Sequence, residues 1–270
     1  MSDTSDYQFF RYEVPRPHVA WVTIDRPEVS NSVHPPAHVE WSAICDRIES
    51  DDDIWMAVFT GAGDRAFCAG RDLKSMSEAQ QQGPEAVRAM NDAMADVTRF
   101  IDRHDFPKPV IARVNGAARG GGFEVALACD LVVASDTASF ALTEVLRGLY
   151  AGGGGVHRLP RQMPTKIAME YLMTGATMTA QEAHRWGLVN RVVPYAELDH
   201  AVNEFIDRLM AAAPLSLRAT KQAAMRGLDR PLAEALFEEY PTVTALFQSE
   251  DIKEGPLAFS EKRTPEWKGR

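Results

Sequence analysis

The stretch that decides the fold covers residues 108–144 and reads KPVIARVNGAARGGGFEVALACDLVVASDTASFALTE. Its apolar run Val110–Val114 predicts a buried strand, which enters a cluster of three glycines at residues 120–122. The following run, residues 123–129, predicts a helix. A strand that feeds a helix through glycines is a local unit of α/β folds.

The start of this predicted helix is a candidate binding site. Backbone N–H groups in the first turn of a helix lack partners, and the positive end of the helix dipole lies behind them. Such donors can hold an anion or an oxygen that becomes negative during a reaction. Glu124 is predicted in the first turn, on the same face as Gly121. The alternative is a purely structural role, in which the glycines allow a tight turn into the helix and the glutamate caps its first turn.

Composition excludes several classes of protein. The chain has 270 residues, a formal net charge of -9 and a pI near 5.3. This acidic balance disfavours a nucleic-acid partner, which needs clustered lysine and arginine, but allows a local basic pocket for a phosphorylated ligand. No apolar run is long enough to span a membrane.

Cysteine use and the N-terminus predict a cytoplasmic protein. Cys45, Cys68 and Cys129 have no metal-type spacing and cannot all be paired, so a reducing compartment is expected. Residues 1–6 are acidic and carry neither the apolar core of a signal peptide nor the arginine-rich pattern of a transit peptide.

Short apolar strands alternate with helices over the first two thirds of the chain, which predicts α/β units with right-handed crossovers. Strands are expected at residues 19–24, 55–60, 110–114, 131–134 and 188–193, and helices at 35–48, 84–103, 123–129, 165–173 and 179–186. Residues 75–83 are polar and predict a mobile loop or weak helix. Beyond Pro194 only helices are predicted. Their apolar stripes pack either on the chain's own core or on a neighbouring subunit.

Other motifs fail on their spacing. Residues 152–155 are four glycines without the Gly-Lys-Ser/Thr of a phosphate loop, and residues 116–122 lack the dinucleotide-binding register. His184 has no second histidine at a zinc-binding spacing.

The order and spacing of many short motifs give the chain a specific resemblance to one family, the crotonase superfamily of enoyl-CoA hydratases and isomerases. The matching segments are AFCAGRDL (66–73), KPVIARVNG (108–116), GGGFE (120–124), ACD (128–130), ASF (138–140) with Glu144, RLPR (158–161), MTG (173–175), EA (182–183), GLV (187–189), SED (249–251) and EKR (261–263). Two further segments, 185–193 and 255–259, resemble the crotonobetainyl-CoA (carnitinyl-CoA) hydratase branch.

The resemblance implies an α/β fold in which strand-strand-helix turns repeat as a spiral. It implies a core for CoA binding and catalysis over residues 1–195 and a C-terminal helical region over 196–270 that builds homotrimers, often paired into hexamers. The implied substrate is an acyl-CoA thioester, with no cofactor and no metal.

The resemblance also implies the roles of particular residues. The thioester oxygen is expected between the backbone N–H groups of Arg71 and Gly121. Glu124 and Glu144 match the pair of two-glutamate hydratases, with Glu124 expected to activate water and Glu144 to deliver a proton, although these roles can be shared or exchanged. The backbone of Gly152 is expected to hold the water.

Contacts with CoA are implied at Arg65, Ala69 and Asp72, with a solvated surface position as the alternative for Arg65. Two departures from the family pattern stand out. Ala151 occupies a position that is often proline, so residues 152–155 are expected to be unusually flexible. The segment Asn31-Ser32-Val33 with two following prolines differs from the family's early CoA-site segment.

The sequence therefore predicts an enoyl-CoA hydratase that forms a 3-hydroxyacyl-CoA. The alternatives are a crotonobetainyl-CoA hydratase, an enoyl-CoA Δ-isomerase and, outside enzymes, a family member that binds acyl-CoA or RNA with negligible turnover. The acidic balance weighs against RNA.

Overall fold

A computed structural model of the chain describes residues 7–270. Residues 1–6, on which the prediction of no leader peptide rests, lie outside them. Within the described part, the strands are β1 Phe10–Arg16, β2 Val19–Ile24, β3 Met56–Gly61, β4 Ala66–Cys68, β5 Val110–Val114, β6 Ala117–Arg119, β7 Leu131–Ser135, β8 Ser139–Ala141, β9 Met178–Thr179 and β10 Arg191–Val193.

Helices alternate with the strands at first and then follow one another to the end of the chain. They are α1 Pro35–Ser50, α2 Leu73–Gln82, α3 Pro84–Asp92, α4 Gly121–Ala128, α5 Gly155–Gln162, α6 Thr165–Thr174, α7 Ala180–Arg185, α8 Leu198–Met210, α9 Pro214–Gly227, α10 Leu232–Ala235, α11 Pro241–Gln248 and α12 Asp251–Glu261. Short 3₁₀ turns lie at Pro27–Val29, Phe100–Asp102, Glu144–Arg147 and Tyr195–Glu197.

The strands form two sheets. The larger has the order β1-β2-β3-β5-β7-β10, and the smaller has the order β4-β6-β8-β9. Pairing is parallel except for β1 with β2 and β8 with β9. A strand of the larger sheet is thus followed by a strand of the smaller one and then by a helix, as in β3-β4-α2 and β5-β6-α4. This confirms the predicted α/β spiral with a helical C-terminal region.

Both faces of the larger sheet are buried, because successive side chains of a strand point to opposite faces. On one face Phe59 packs with Trp41 and Ile44 of α1. On the other, Val58 and Ile111 pack with α8. A parallel sheet covered on both faces accounts for the nearly continuous apolar runs that predicted its strands.

Several predicted boundaries were wrong. Residues 84–103 are not one helix, because α3 ends at Asp92 and a 3₁₀ turn forms at Phe100–Asp102. Of the two expectations for residues 75–83, a mobile loop or a weak helix, the helix is the one that forms, since residues 75–82 belong to α2. The Asp72 carboxylate caps α2 by accepting from the amides of Lys74 and Ser75. The sequence analysis did not predict β1 or the short strands β6, β8 and β9, which hold too few residues to show a clear period.

The C-terminal helices divide into two environments. The apolar residues of α8 pack on the chain's own larger sheet. In contrast, the segment from α9 to α12 leaves large apolar side chains exposed: Met225, Leu228, Leu232, Leu236, Phe237, Phe247, Leu257 and Phe259. The predicted boundary between the core and the C-terminal region, between residues 195 and 196, therefore assigns α8 to the C-terminal region although α8 covers the core. This division into two regions stays a prediction.

No helix within residues 7–270 combines the length and the apolar character that a lipid bilayer requires.

Two glycines let the turn after β4 approach the start of α4. Gly70 has φ +84°, and a Cβ there would lie 2.6 Å from the Arg119 carbonyl oxygen and 2.8 Å from the Gly121 amide nitrogen. A Cβ at Gly122 would lie 2.0 Å from the Cys68 carbonyl oxygen. Only hydrogen fits at these positions, so the glycines fix the distance between the two segments.

We expect Gly122→Ala to destabilise the protein by about 1–3 kcal/mol, because the new methyl group must push two backbone segments apart. Thermal and denaturant unfolding measure the effect. Gly227→Ala is the matched control, because the nearest atoms to its Cβ are 3.7 Å away. Equal stability of the two variants would contradict the close packing of α4 on β4.

Candidate active site

A cavity of about 880 Å³ opens between the turn after β4, the start of α4 and the segments around Phe100 and Glu144. Ala69, Arg71, Gly121 and Gly152 line it together with both predicted glutamates, Glu124 and Glu144. The fold therefore brings six of the eight predicted site residues to one cavity. Arg65 and Asp72 are not part of its lining.

Two backbone amides converge at one side of this cavity. Val33 donates to the Gly70 carbonyl and Asp72 donates to the Val33 carbonyl, so the Arg71 amide between them faces the other way. Gly121 is the first residue of α4, where a helical amide has no intrahelical acceptor. Within residues 7–270 neither amide has a hydrogen-bond acceptor. A Cβ at Gly121 would lie only 3.8 Å from the Arg71 nitrogen, so the two amides are close neighbours in the cavity wall.

Glu124 is a buried carboxyl, with 4% of its surface exposed. Its Oε1 accepts from the Gly155 amide at 2.8 Å, and the Gly153 amide is also directed at the carboxyl. Burial raises the pKa of Glu124 above its ordinary value, although both amides and the charges of Arg99 and Arg158 oppose that rise. Burial therefore favours the protonated form of Glu124, while the two amides and the two arginines stabilise its charged form.

Glu144 lies half-buried at the start of a 3₁₀ turn, and a Cβ at Gly120, the residue before α4, would lie 3.0 Å from its Oε1. Its Oε2 is buried and has no hydrogen-bond partner within the described residues. Burial raises the pKa of Glu144, and the charge of Glu124 raises it further. A buried carboxylate oxygen without a partner is costly and marks a place where a proton, a water or a substrate group is expected.

The glycine run after Glu144 is packed against Glu124, contrary to the expectation of unusual flexibility. A Cβ at Gly153 would lie 2.4 Å from Glu124 Oε2 and 2.5 Å from Ile101 Cδ1, and one at Gly155 would lie 3.1 Å from Glu124 Oε1. Gly155 also begins α5. Glycine is needed here so that backbone amides can reach the carboxyl.

The amide of Gly152, the predicted water ligand, donates to the Tyr150 carbonyl at 2.8 Å. A role in holding water requires this bond to be shared or opened, and it stays a prediction. The amides of Gly153 and Gly155 are site groups that the sequence analysis missed. The four-glycine run was the available signal, because consecutive glycines permit close backbone approach.

The predicted CoA contacts have different environments. Ala69 lines the cavity. Asp72 caps α2 and lies 3.4 Å from the guanidinium of Arg26, so its carboxylate already has partners. Arg65 is exposed, and its backbone carbonyl accepts from Ala117. These roles remain predictions.

Among residues 7–270 no group of three or more histidine, cysteine, aspartate or glutamate side chains is arranged to hold a metal ion.

Comparison with known proteins places this site in a family context. Residues 16–270 match the profile of a family described as "Enoyl-CoA hydratase/isomerase". The chain is 41% identical over 253 residues to (E)-benzylidenesuccinyl-CoA hydratase of Thauera aromatica, covering 93% of this chain and 96% of that protein. It is 42% identical over 262 residues to carnitinyl-CoA dehydratase of Proteus mirabilis, covering 94% and 97%.

Solved structures agree with these relatives. An enoyl-CoA hydratase from Bacillus anthracis has a TM-score of 0.88 to this chain at 35% identity, covering 97% of this chain and 100% of that one. An enoyl-CoA hydratase from Mycobacterium tuberculosis has a TM-score of 0.86 at 34% identity, covering 98% and 100%.

We expect Glu144→Gln to stabilise the protein at neutral pH. Because the folded-state pKa of Glu144 is raised, its stabilising contribution is full below the ordinary value of 4.5 and is lost as pH rises through the folded-state pKa. Glutamine does not ionise, so the Glu144→Gln variant does not lose this stability as pH rises. Its melting temperature should therefore exceed that of the parent by a margin that grows from pH 5 to pH 8.

Thermal unfolding across that pH range is the measurement. Glu28→Gln, at an exposed glutamate outside the cavity, is the matched control for loss of one carboxylate. A margin for Glu144→Gln that stays constant or shrinks with rising pH would contradict the strained environment of this carboxyl.

Proposed function

Because the chain belongs to the enoyl-CoA hydratase/isomerase family, we propose that it is an enoyl-CoA hydratase, a lyase that adds water to a 2-enoyl-CoA thioester to give a 3-hydroxyacyl-CoA. The observation that carries this proposal is the meeting of two carboxyls, Glu124 and Glu144, in one cavity with two unpartnered, converging amides. The hydratases among its relatives support the same activity.

The amides of Arg71 and Gly121 bind the thioester oxygen. Attack of water on the β carbon moves electron density onto this oxygen, which gains enolate character. Preset N–H donors stabilise that charge more than they stabilise the uncharged ground state. By analogy with other oxyanion holes, loss of one donor costs about 2.7–4 kcal/mol in the barrier.

The unequal surroundings of the two glutamates support distinct roles. Glu124 accepts from backbone amides and lies near the charges of Arg99 and Arg158, so its ionised form has partners. As a base it takes a proton from water while the oxygen forms the bond to the β carbon. Glu144, whose pKa is raised by burial and by the charge of Glu124, starts protonated and gives its proton to the α carbon.

After one turnover Glu124 carries the proton and Glu144 is charged. Exchange of a proton between the pair, directly or through solvent, restores the starting state. Because protonation of the two glutamates is coupled, their acid and base roles can be reversed when the enzyme dehydrates a 3-hydroxyacyl-CoA. No metal or redox cofactor takes part in this proposal.

Two alternatives within the family concern the reaction and the substrate. A Δ-isomerase moves a double bond by transferring one proton between two carbons. This reaction needs one proton-transfer group, so the second buried carboxyl would have no role in it. A carnitinyl-CoA dehydratase is supported by relatives at 42% identity, and it would use the same site on a quaternary ammonium substrate. A non-enzymatic acyl-CoA-binding or RNA-binding role leaves the paired glutamates unexplained, and a net charge of -9 disfavours RNA.

We also propose CoA contacts at Arg65, Ala69 and Asp72 and a cytoplasmic location. Ala69 is supported by its place in the cavity wall, and Asp72 by its place at the start of α2 next to Arg71. The three cysteines are free, in keeping with a reducing compartment.

A homotrimer, alone or paired into a hexamer, is proposed for the quaternary structure. The many large apolar side chains that α9–α12 leave exposed support it, since exposed apolar surface is costly in water and is often covered by another subunit.

Crotonyl-CoA is expected to lose its enoyl absorbance in the presence of the enzyme. We expect Glu124→Gln and Glu144→Gln each to lower kcat about 10²–10⁴-fold, because each removes one proton-transfer group. The double variant should lose little more than the worse single variant, since the two groups act as a unit.

Glu28→Gln serves as the surface control for these rates. Hydration that persists at the parental rate in either active-site variant would contradict the two-glutamate mechanism. Migration of a 3-enoyl double bond without hydration would favour the isomerase.

Light scattering coupled to size-exclusion chromatography is expected to give three or six times the mass of the 29.9 kDa chain. Phe237→Glu places a charge on a side chain that is 87% exposed in the isolated chain, and it should shift the mass toward the monomer. A monomeric parent protein would contradict the proposed assembly.

A further inference from the structure

We propose that the acyl group of the natural substrate carries a carboxylate, and that the guanidinium of Arg71, with Arg99 beside it, binds this carboxylate. The substrate class is thus a 2-enoyl-CoA thioester of a dicarboxylic acid. This inference rests on the hydratase proposed above and deepens it, because it concerns the part of the same cavity that receives the acyl chain.

The cavity wall is unusually rich in cations for a site that binds an aliphatic chain. Four arginines line it, Arg71, Arg99, Arg119 and Arg147. The carboxyls that face them are Asp102 and the two glutamates Glu124 and Glu144. With one glutamate protonated, as the mechanism requires, positive charge is in excess inside the cavity. A neutral acyl chain makes no use of this excess, which can serve a carboxylate on the acyl group or the phosphates of CoA.

Three of the arginines already have partners. Arg119 donates to the carbonyl and hydroxyl oxygens of Ser139. Arg99 makes a two-bond pair with Asp102, at 2.6 and 2.8 Å. Arg147 donates to the Thr143 carbonyl. In contrast, Arg71 is an exposed residue of the lining. Its guanidinium makes no hydrogen bond and no ion pair to any of residues 7–270, so its five N–H donors are open to water or to a ligand.

The position of Arg71 fits the acyl group. Its own backbone amide is one of the two donors for the thioester oxygen, so its side chain begins beside the reacting thioester. The residue also lines the cavity that receives the acyl chain. Its guanidinium can therefore meet a group that the substrate carries beyond the double bond.

Arg99 and His38 line the same cavity as Arg71. Arg99 lies close enough to Glu124 and to Arg71 for its charge to act on both. Burial together with Arg99 lowers the pKa of Arg71. Burial, Arg99 and Arg71 lower the pKa of His38 to about 4, so this imidazole is neutral at neutral pH and can donate one N–H. Arg99 already pairs with Asp102, so an anion in this part of the cavity would give Arg71 the charged partner that it lacks among residues 7–270.

The same charges disfavour a quaternary ammonium substrate. A trimethylammonium group favours an aromatic or acidic surrounding. Aromatic rings of Trp41, Phe100 and Tyr150 do line the cavity, but next to them the unpaired charge of Arg71 would repel a cation. The phosphates of CoA are the other possible anion for Arg71, and the experiment must separate the two sources.

Three crotonyl-CoA derivatives that differ only at carbon 4 test the proposal: glutaconyl-CoA with a carboxylate, its methyl ester, and crotonobetainyl-CoA with a trimethylammonium group. We expect kcat/KM for hydration of glutaconyl-CoA to exceed that of the ester by roughly tenfold or more, the effect of one charge-assisted bidentate pair. Arg71→Gln should reduce this ratio by roughly tenfold or more, and Arg71→Lys should restore part of it.

The ratio cancels any common loss from the oxyanion hole or from CoA binding. A CoA-phosphate role for Arg71 lowers all three rates equally, leaves the ratio unchanged and overturns the proposal. Arg65→Gln is the matched control, because this exposed arginine lies outside the cavity wall, and it should leave the ratio unchanged. A parent enzyme that prefers the ester or crotonobetainyl-CoA also overturns the proposal.

Failure of the hydratase proposal is distinguishable from failure of this one. If no derivative is hydrated, calorimetry with the unreactive thioesters glutaryl-CoA and butyryl-CoA still measures the preference for a carboxylate. The parent should bind glutaryl-CoA at least about tenfold more tightly, and Arg71→Gln should remove that difference. Equal affinities for the two thioesters overturn the proposal regardless of turnover.

Discussion

The close approach of two backbone segments, the turn after β4 and the first residue of α4, is the constraint on which the site depends. A Cβ at Gly70 or Gly122 would overlap backbone atoms of the other segment. With glycine at both positions, the amides of Arg71 and Gly121 converge without any side chain taking part. Since these donors are fixed by the packing of a strand against a helix, they need no reorganisation when charge develops on the bound oxygen.

The carboxyl pair is fixed by the same architecture. Glu124 lies in α4, three residues after Gly121, and Glu144 lies in the turn after β8. The β5-β6-α4 and β7-β8 units are successive turns of the spiral, which explains why groups 20 positions apart in the chain share one cavity. Burial of both carboxyls costs stability at neutral pH. The structure retains them in this state because one buried carboxyl can then exist as an acid and the other as a base.

Elements outside the spiral determine what the cavity accepts. The Phe100–Asp102 turn and the residue before it supply Asp102 and Arg99, and α1 supplies His38. Gly153 and the first residue of α5, Gly155, supply the amides on Glu124. Arg158 ties two of these elements together, donating to the carbonyls of Ile101 and Gly153. In the proposed function the strand-helix junctions hold the reacting atoms and, through the side chain of Arg71, also contribute to selectivity, while the surrounding helices and turns add to the charge around the acyl group.

The sequence by itself determined the α/β class, five of the six strands of the larger sheet, the family resemblance and the identity of the two glutamates, because these depend on local periodicity and on motifs with fixed spacing. It did not determine that α3 ends at Asp92, that Gly153 and Gly155 donate to or pack against Glu124, or that Asp72 caps a helix. It also could not show that Arg99 pairs with Asp102 while the guanidinium of Arg71 has no partner among residues 7–270. Pairing and burial depend on which distant segments meet, and only the packed tertiary structure decides that.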